Sequence, residues 1–152
     1  MIQRKQTIWL LISMLAWITL FFKPTIGFTS GQDGAWMLFA NGIREADGGK
    51  VAVPAIPQLI LFILVDLLAL ISIFLYKHRT LQLRITLYTM ILQVLSYALI
   101  GFYVMQGKKT LGADPGLLFF SIIPAISFVF SLLAFRGIRL DMLLMKTLNR
   151  LR

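Results

Sequence analysis

Hydrophobic positions along this 152-residue chain fall into four blocks, separated by charged or glycine-rich breaks. The clearest is 59–76, LILFILVDLLALISIFLY, closed at once by Lys77, His78 and Arg79. An apolar run of about 18 residues or more crosses a hydrocarbon core of about 30 Å, at about 1.5 Å rise per residue. One carboxylate, Asp66, stands near its middle. On an insertion scale an Asp at a helix centre costs roughly 2.5 to 3.5 kcal/mol, whereas each Leu, Ile, Phe or Val contributes roughly 0.3 to 0.6 in favour. The run holds 14 such residues against one Asp, so it is predicted to insert.

Reading the other blocks in the same way predicts spans at about 7–28, 57–76, 85–105 and 117–135. They form one domain covering 1–152, an all-α membrane protein built as a four-transmembrane-helix bundle. No small-x-small cleavage site follows Phe22, so the first block is expected to stay as an anchor. Between the first two blocks the composition turns to Gly, Asp, Asn and Pro. There 35–40 (AWMLFA) and 50–53 (KVAV) are expected to pair as a small β-ribbon, with turns at Asn41-Gly42 and Gly48-Gly49. The tail 136–152 sets five basic residues among Leu140, Leu143, Leu144, Leu148 and Leu151. Spacings of three and four predict an amphipathic helix lying along the membrane surface.

Composition sharpens this picture. With 59% hydrophobic and 14% charged residues, and a mean hydropathy of +0.84, the chain lies far from the range of soluble domains. Its net charge of +9 would suggest nucleic acid in a soluble protein. Here the basic residues sit at the ends of the apolar blocks, where topology and anionic headgroups account for them, so no nucleic-acid partner is expected. Cysteine is absent, which excludes disulfides and thiol chemistry.

Lys and Arg also orient the chain. The start, the connection after the second block and the tail carry ten of them, the remaining connections five. By the positive-inside rule both termini are expected in the cytoplasm and 29–55 outside.

Polar residues within the blocks form stripes at helical spacing. The third block carries Thr86, Thr89, Gln93, Ser96, Tyr97 and Gly101; the second Asp66, Ala69, Ser72 and Tyr76. The fourth offers Pro124, Ser127, Ser131 and Ala134, and the first Ser13 and Ala16. In lipid, helices associate through small residues and interhelical hydrogen bonds, so these stripes should face one another. Depth matching predicts an intramembrane polar node in which Asp66 bonds Tyr97, with Gln93 or Ser96 as second partner. Pro124 is expected to kink the fourth helix and expose the Phe120 carbonyl. The node reads either as interhelical glue or as a proton or cation relay, since an intramembrane carboxylate is a functional hypothesis by default. No phosphate-cradling loop, metal-ligand cluster or nucleophile with its base is found, so no catalytic, cofactor-binding or metal residues are assigned and no cofactor is expected.

Short basic anchors give a further lead: Met1-Ile2-Gln3-Arg4, Tyr76-Lys77-His78-Arg79 with Gln82, and Arg136-Gly137-Ile138-Arg139 through Asp141 to Arg150-Leu151-Arg152. In these the chain resembles a family of small four-span bacterial inner-membrane proteins with no assigned function. The resemblance implies a multi-pass inner-membrane location and carries over no catalytic residue. Together these features suggest a non-enzymatic accessory or scaffold subunit, its partners the lipid bilayer and a membrane protein or a second copy. The alternative is a small proton-coupled transporter, working as a homo-oligomer with Asp66 as the proton site.

Overall fold

The computed structural model describes residues 2–29, 35–47 and 49–150. Four helices, α1 (Ile2–Phe22), α2 (Ile56–Phe74), α3 (Arg79–Leu111) and α4 (Ile123–Arg150), run antiparallel to their neighbours. The chain between α1 and α2 supplies β1 (Ile26–Thr29), β2 (Ala35–Phe39), β3 (Gly42–Glu45) and β4 (Val51–Pro54). The chain between α3 and α4 adds β5 (Asp114–Leu117). All five strands join one antiparallel sheet in the order β4-β3-β2-β1-β5.

This sheet overturns the all-α, four-transmembrane-helix reading. Three helical stretches, Ile56–Lys77, Arg79–Leu111 and Phe119–Met145, are long and apolar enough to cross a membrane, and the apolar stretch of α1, Gln6–Phe22, is shorter. The first block does not continue to Phe28, because α1 stops at Phe22, ahead of Pro24. The residue before a proline is pushed out of the helical region, and the β-rich Ile26-Gly27-Phe28-Thr29 then pairs as β1. The expected ribbon is also revised, since β3 lies between the two segments thought to pair directly. The Asn41-Gly42 turn is present, joining β2 to β3. Gly42 has φ +148°, and a Cβ there would stand 2.5 Å from the Val53 carbonyl oxygen, so a side chain is excluded. Gly48 of the second expected turn lies outside the described residues.

One face of the sheet is apolar by design of its register. Ile26 stands opposite Leu38, Leu38 opposite Ile43, and Ile43 opposite Val53, a row of four buried aliphatic side chains crossing four strands. That row, with Phe28, covers the ends of the helices through Trp17, Leu20, Phe62, Ile100 and Tyr103. The sheet therefore shares one core with the helices.

The tail is likewise corrected. Nothing between Phe135 and Arg136 breaks the helix, so α4 runs from Ile123 to Arg150 without interruption. Ile138 and Asp141 are buried, and α1 packs beside them, so the start of the tail serves the helix array instead of resting apart on a surface. Leu148 and Leu151 of the amphipathic pattern lie outside the described side chains. Gln6 of α1 touches Asp141 of α4, which puts the beginning of α1 and the later part of α4 at one end, opposite the sheet.

Two glycines of α3 make contrasting tests. A Cβ on Gly107 would lie 2.7 Å from both Phe28 Cζ and Ile43 Cδ1, whereas a Cβ on Gly101 would meet nothing within 4 Å. Overpacking of a filled core costs about 1–3 kcal/mol. Gly107→Ala is expected to lower stability by about that amount in denaturant unfolding of the detergent-solubilised chain, and Gly101→Ala to leave it unchanged or raise it.

Candidate functional site

Interhelical hydroxyl groups gather where α1, α3 and α4 meet. Ser13 Oγ lies 3.0 Å from the Ser127 carbonyl, 2.9 Å from Ser127 Oγ and 2.7 Å from Ser131 Oγ. Ser127 Oγ reaches back to the Ser13 carbonyl at 2.9 Å. This reciprocity requires the two backbones to approach closely, which small residues allow. From α3, Gln93 Nε2 donates to Ser127 Oγ at 2.9 Å and to Ser13 Oγ at 3.4 Å. Toward the end away from the sheet, Ser72 of α2 and Thr86 of α3 share a 2.8 Å hydrogen bond, and Thr86 also donates to the Gln82 carbonyl.

The expected node is thus brought together only in part. Gln93 is buried and bonded across helices, but to Ser13 and Ser127. Ser96 is buried and donates within its own helix to the Leu92 carbonyl at 2.9 Å. Tyr97 is 39% exposed, its hydroxyl turned to the backbone of Ala125. Asp66 is partly buried, its Oδ1 has no hydrogen-bond partner, and no hydrogen bond joins it to Tyr97. Ser13, Ser127 and Ser131 are the members that matching the depths of Asp66, Tyr97 and Pro124 does not bring into the node. Their signal was present in the sequence as small residues at matching spacing on the first and fourth blocks.

Asp66 can nevertheless be placed by level. Trp17 of α1 meets Phe62 of α2 edge to face at 5.2 Å. Ser13 is four residues before Trp17, and Asp66 four after Phe62 on the antiparallel helix, so both lie about 6 Å from that contact on the same side. Gln93 shares this section through its bond to Ser13, and its Oε1 is buried and without a partner.

Pro124 does not kink a helix. It is the second residue of α4, where a missing N–H belongs to a donor that no helical carbonyl would accept. A 3-10 turn, Phe119–Ile122, precedes it, and the Phe120 carbonyl accepts from the Ile123 N–H instead of standing free.

At the end away from the sheet a second polar cluster ties three helices. Gln6 Nε2 donates to Asp141 Oδ2 at 2.8 Å, and Arg79 Nη1 lies 3.6 Å from the same oxygen. Gly137 makes room for Gln6, since a Cβ there would fall 2.9 Å from Gln6 Cγ. His78 is exposed, between Lys77 and Arg79.

Near the sheet, a lateral groove runs between α3, β5 and the start of α4. Its two lobes, about 310 and 430 Å³, share Tyr97, Leu117 and Ser121. Gly101 and Val104 of α3 and Pro115 of β5 line the lobe of about 310 Å³ beside the sheet. The rim is apolar and open: Leu117 is 85% exposed and Phe119 83%. On the outer surface of β5, Lys108 Nζ donates to Asp114 Oδ1 at 2.9 Å, and this cation holds the Asp114 carboxyl below the usual carboxylate range.

The arrangement defines a helical protein with membrane-length spans, capped at one end by a sheet and seamed by hydroxyl groups. The family model described as "Domain of unknown function (DUF4293)" matches residues 2–151, and the chain belongs to that family. No curated protein matches the chain.

Two outcomes test this geometry. Intramembrane hydrogen bonds measured by double-mutant cycles average about 0.6 kcal/mol, with a maximum of about 1.7. Ser13→Ala and Ser127→Ala should each destabilise the chain, and their cycle should return a coupling of about that size, because each hydroxyl serves the other's carbonyl. In an NMR titration Asp114 should protonate below the usual range, and Lys108→Ala should move it upward. The sign follows from a depressed carboxyl: the pair is formed at neutral pH and lost as pH falls through the lowered value.

Proposed function

We propose that this is a non-enzymatic integral membrane protein of the bacterial inner membrane, acting as an accessory or scaffold subunit. The end of the helices carrying both termini faces the cytoplasm, and the sheet lies on the outer side. The observation that supports this most is the common core of sheet and helices: Phe28, Leu38 and Ile43 are packed with Trp17, Phe62 and Tyr103. A sheet held so firmly to helix ends can present a fixed surface to a partner. Charge agrees in sign, with nine Lys and Arg among the described residues toward the end away from the sheet and five toward the sheet. Ser13, Ser127 and Ser131 spend their hydrogen bonds on one another, which suits glue better than nucleophilic chemistry.

One observation favours a second reading, a small proton-coupled transporter working as a homo-oligomer. Asp66 Oδ1 is buried without a partner, level with Gln93, whose Oε1 is also unpartnered. In that reading Asp66 takes up and releases the proton, and a second copy supplies the remaining wall of the path.

Purification from native membranes in mild detergent separates the two. The accessory role predicts a different protein at fixed stoichiometry, and a chain recovered alone overturns it. The transporter predicts a homo-oligomer whose proton flux, followed with a pH-sensitive dye inside proteoliposomes, is abolished by Asp66→Asn. Flux unchanged in that variant overturns the second reading.

A further inference from the structure

The groove beside Tyr97 has a floor that packing within the chain does not explain. Glycine inside a helix is unfavourable, and it is normally kept where another group approaches closely. Gly107 is such a case; Gly101, two turns earlier, has nothing within 4 Å of its would-be Cβ. The space over Gly101 is the groove itself.

The Thr25 and Ser121 hydroxyls beside this space are already engaged. Thr25 Oγ1 donates to the Leu38 carbonyl at 3.2 Å, Ser121 Oγ donates to the Thr25 carbonyl, and the Leu118 N–H donates to Ser121 Oγ at 3.1 Å. The Tyr97 hydroxyl is turned to Ala125. What the groove offers an occupant is therefore hydrocarbon surface, from Tyr97 along α3 to Val104, about 10 Å at the helical rise. At the sheet end the wall changes to Pro115 and Thr25. At that same end stands a cation. Lys23, two residues before the groove residue Thr25, holds its Nζ 5.8 Å from the centre of the Phe120 ring. Lys108 is paired with Asp114, but Lys23 has no carboxylate within ion-pair distance among the described residues.

An apolar slot open toward the side of two membrane-length helices, ending at an uncompensated ammonium group, matches one kind of molecule. We propose that the groove binds one acyl chain of an anionic phospholipid, with Gly101 as its floor and Lys23 beside the phosphate. The inference rests on the membrane reading above, and it can fail while that reading stands.

The full-length chain, stripped of lipid in detergent, is incubated with phosphatidylglycerol or with phosphatidylcholine of identical acyl chains, and bound lipid is counted by native mass spectrometry. The intact chain should retain one phosphatidylglycerol in preference to phosphatidylcholine. Gly101→Leu should weaken retention at least tenfold while keeping the native circular dichroism, because its side chain enters open space. Lys23→Gln should keep chain binding and lose the preference between headgroups, and Val94→Leu, on an exposed part of α3, should change neither. Retention unchanged in Gly101→Leu, or a preference unchanged in Lys23→Gln, overturns the proposal. So does a Gly101→Leu variant that loses self-association and no lipid, which would make a second copy the occupant. Release of the chain from membranes by carbonate would overturn the membrane reading itself, and the groove with it.

Discussion

The fold depends on one row of aliphatic side chains. Ile26, Leu38, Ile43 and Val53 cross the sheet in register and close over the ends of the helices, and without that apolar contact the strands, each of four or five residues, would have nothing to hold them. Isolated short strands are marginal in water, and a sheet becomes stable when one face is packed against another layer. The helices in turn gain a lid that fixes their spacing, since Trp17 of α1, Phe62 of α2 and Tyr103 of α3 meet in the same core.

Away from the sheet the helices are joined by a different means. Hydroxyl and amide groups at Ser13, Gln93, Ser127 and Ser131, then Ser72 and Thr86, then Gln6, Arg79 and Asp141, bond helices together at successive levels. For helices standing in lipid, as proposed above, apolar contact has little advantage over contact with acyl chains, so direction would come from polar pairs and close backbone approach. The large exposed side chains, such as Leu64, Leu67 and Ile91, occupy the opposite faces.

The sequence made some of this legible and hid the rest for identifiable reasons. The second block matched α2 closely because its apolar run is bounded on both sides. The third helix extends beyond its apolar block at both ends, since 79–84 and 106–111 are polar but contain no proline, and nothing there stops a helix. The first helix stops short of its apolar block, because Ile26-Gly27-Phe28-Thr29 is as apolar as a helix end, and periodicity cannot separate four residues into helix or strand. β5 was invisible: Asp-Pro-Gly-Leu reads as a turn, and only pairing with β1 makes it a strand. The polar stripes found the buried faces at Gln93, Ser96, Ser127 and Ser131. They could not choose partners, because which hydroxyl faces which amide depends on helix rotation, and Tyr97 lines the groove while Asp66 keeps a buried Oδ1 without a partner.

Strand β5 has a consequence for the order in which the molecule can be completed. During synthesis β1 to β4 emerge first, and the 33 residues of α3 must follow before residues 114–117 exist to cover the remaining edge of β1. Until then that edge is a row of unpaired amides and carbonyls, open to any extended chain nearby. The last stitch of the sheet is thus tied to the arrival of α3 beside its neighbours, and a nascent chain stalled within that helix would carry a raw β-edge.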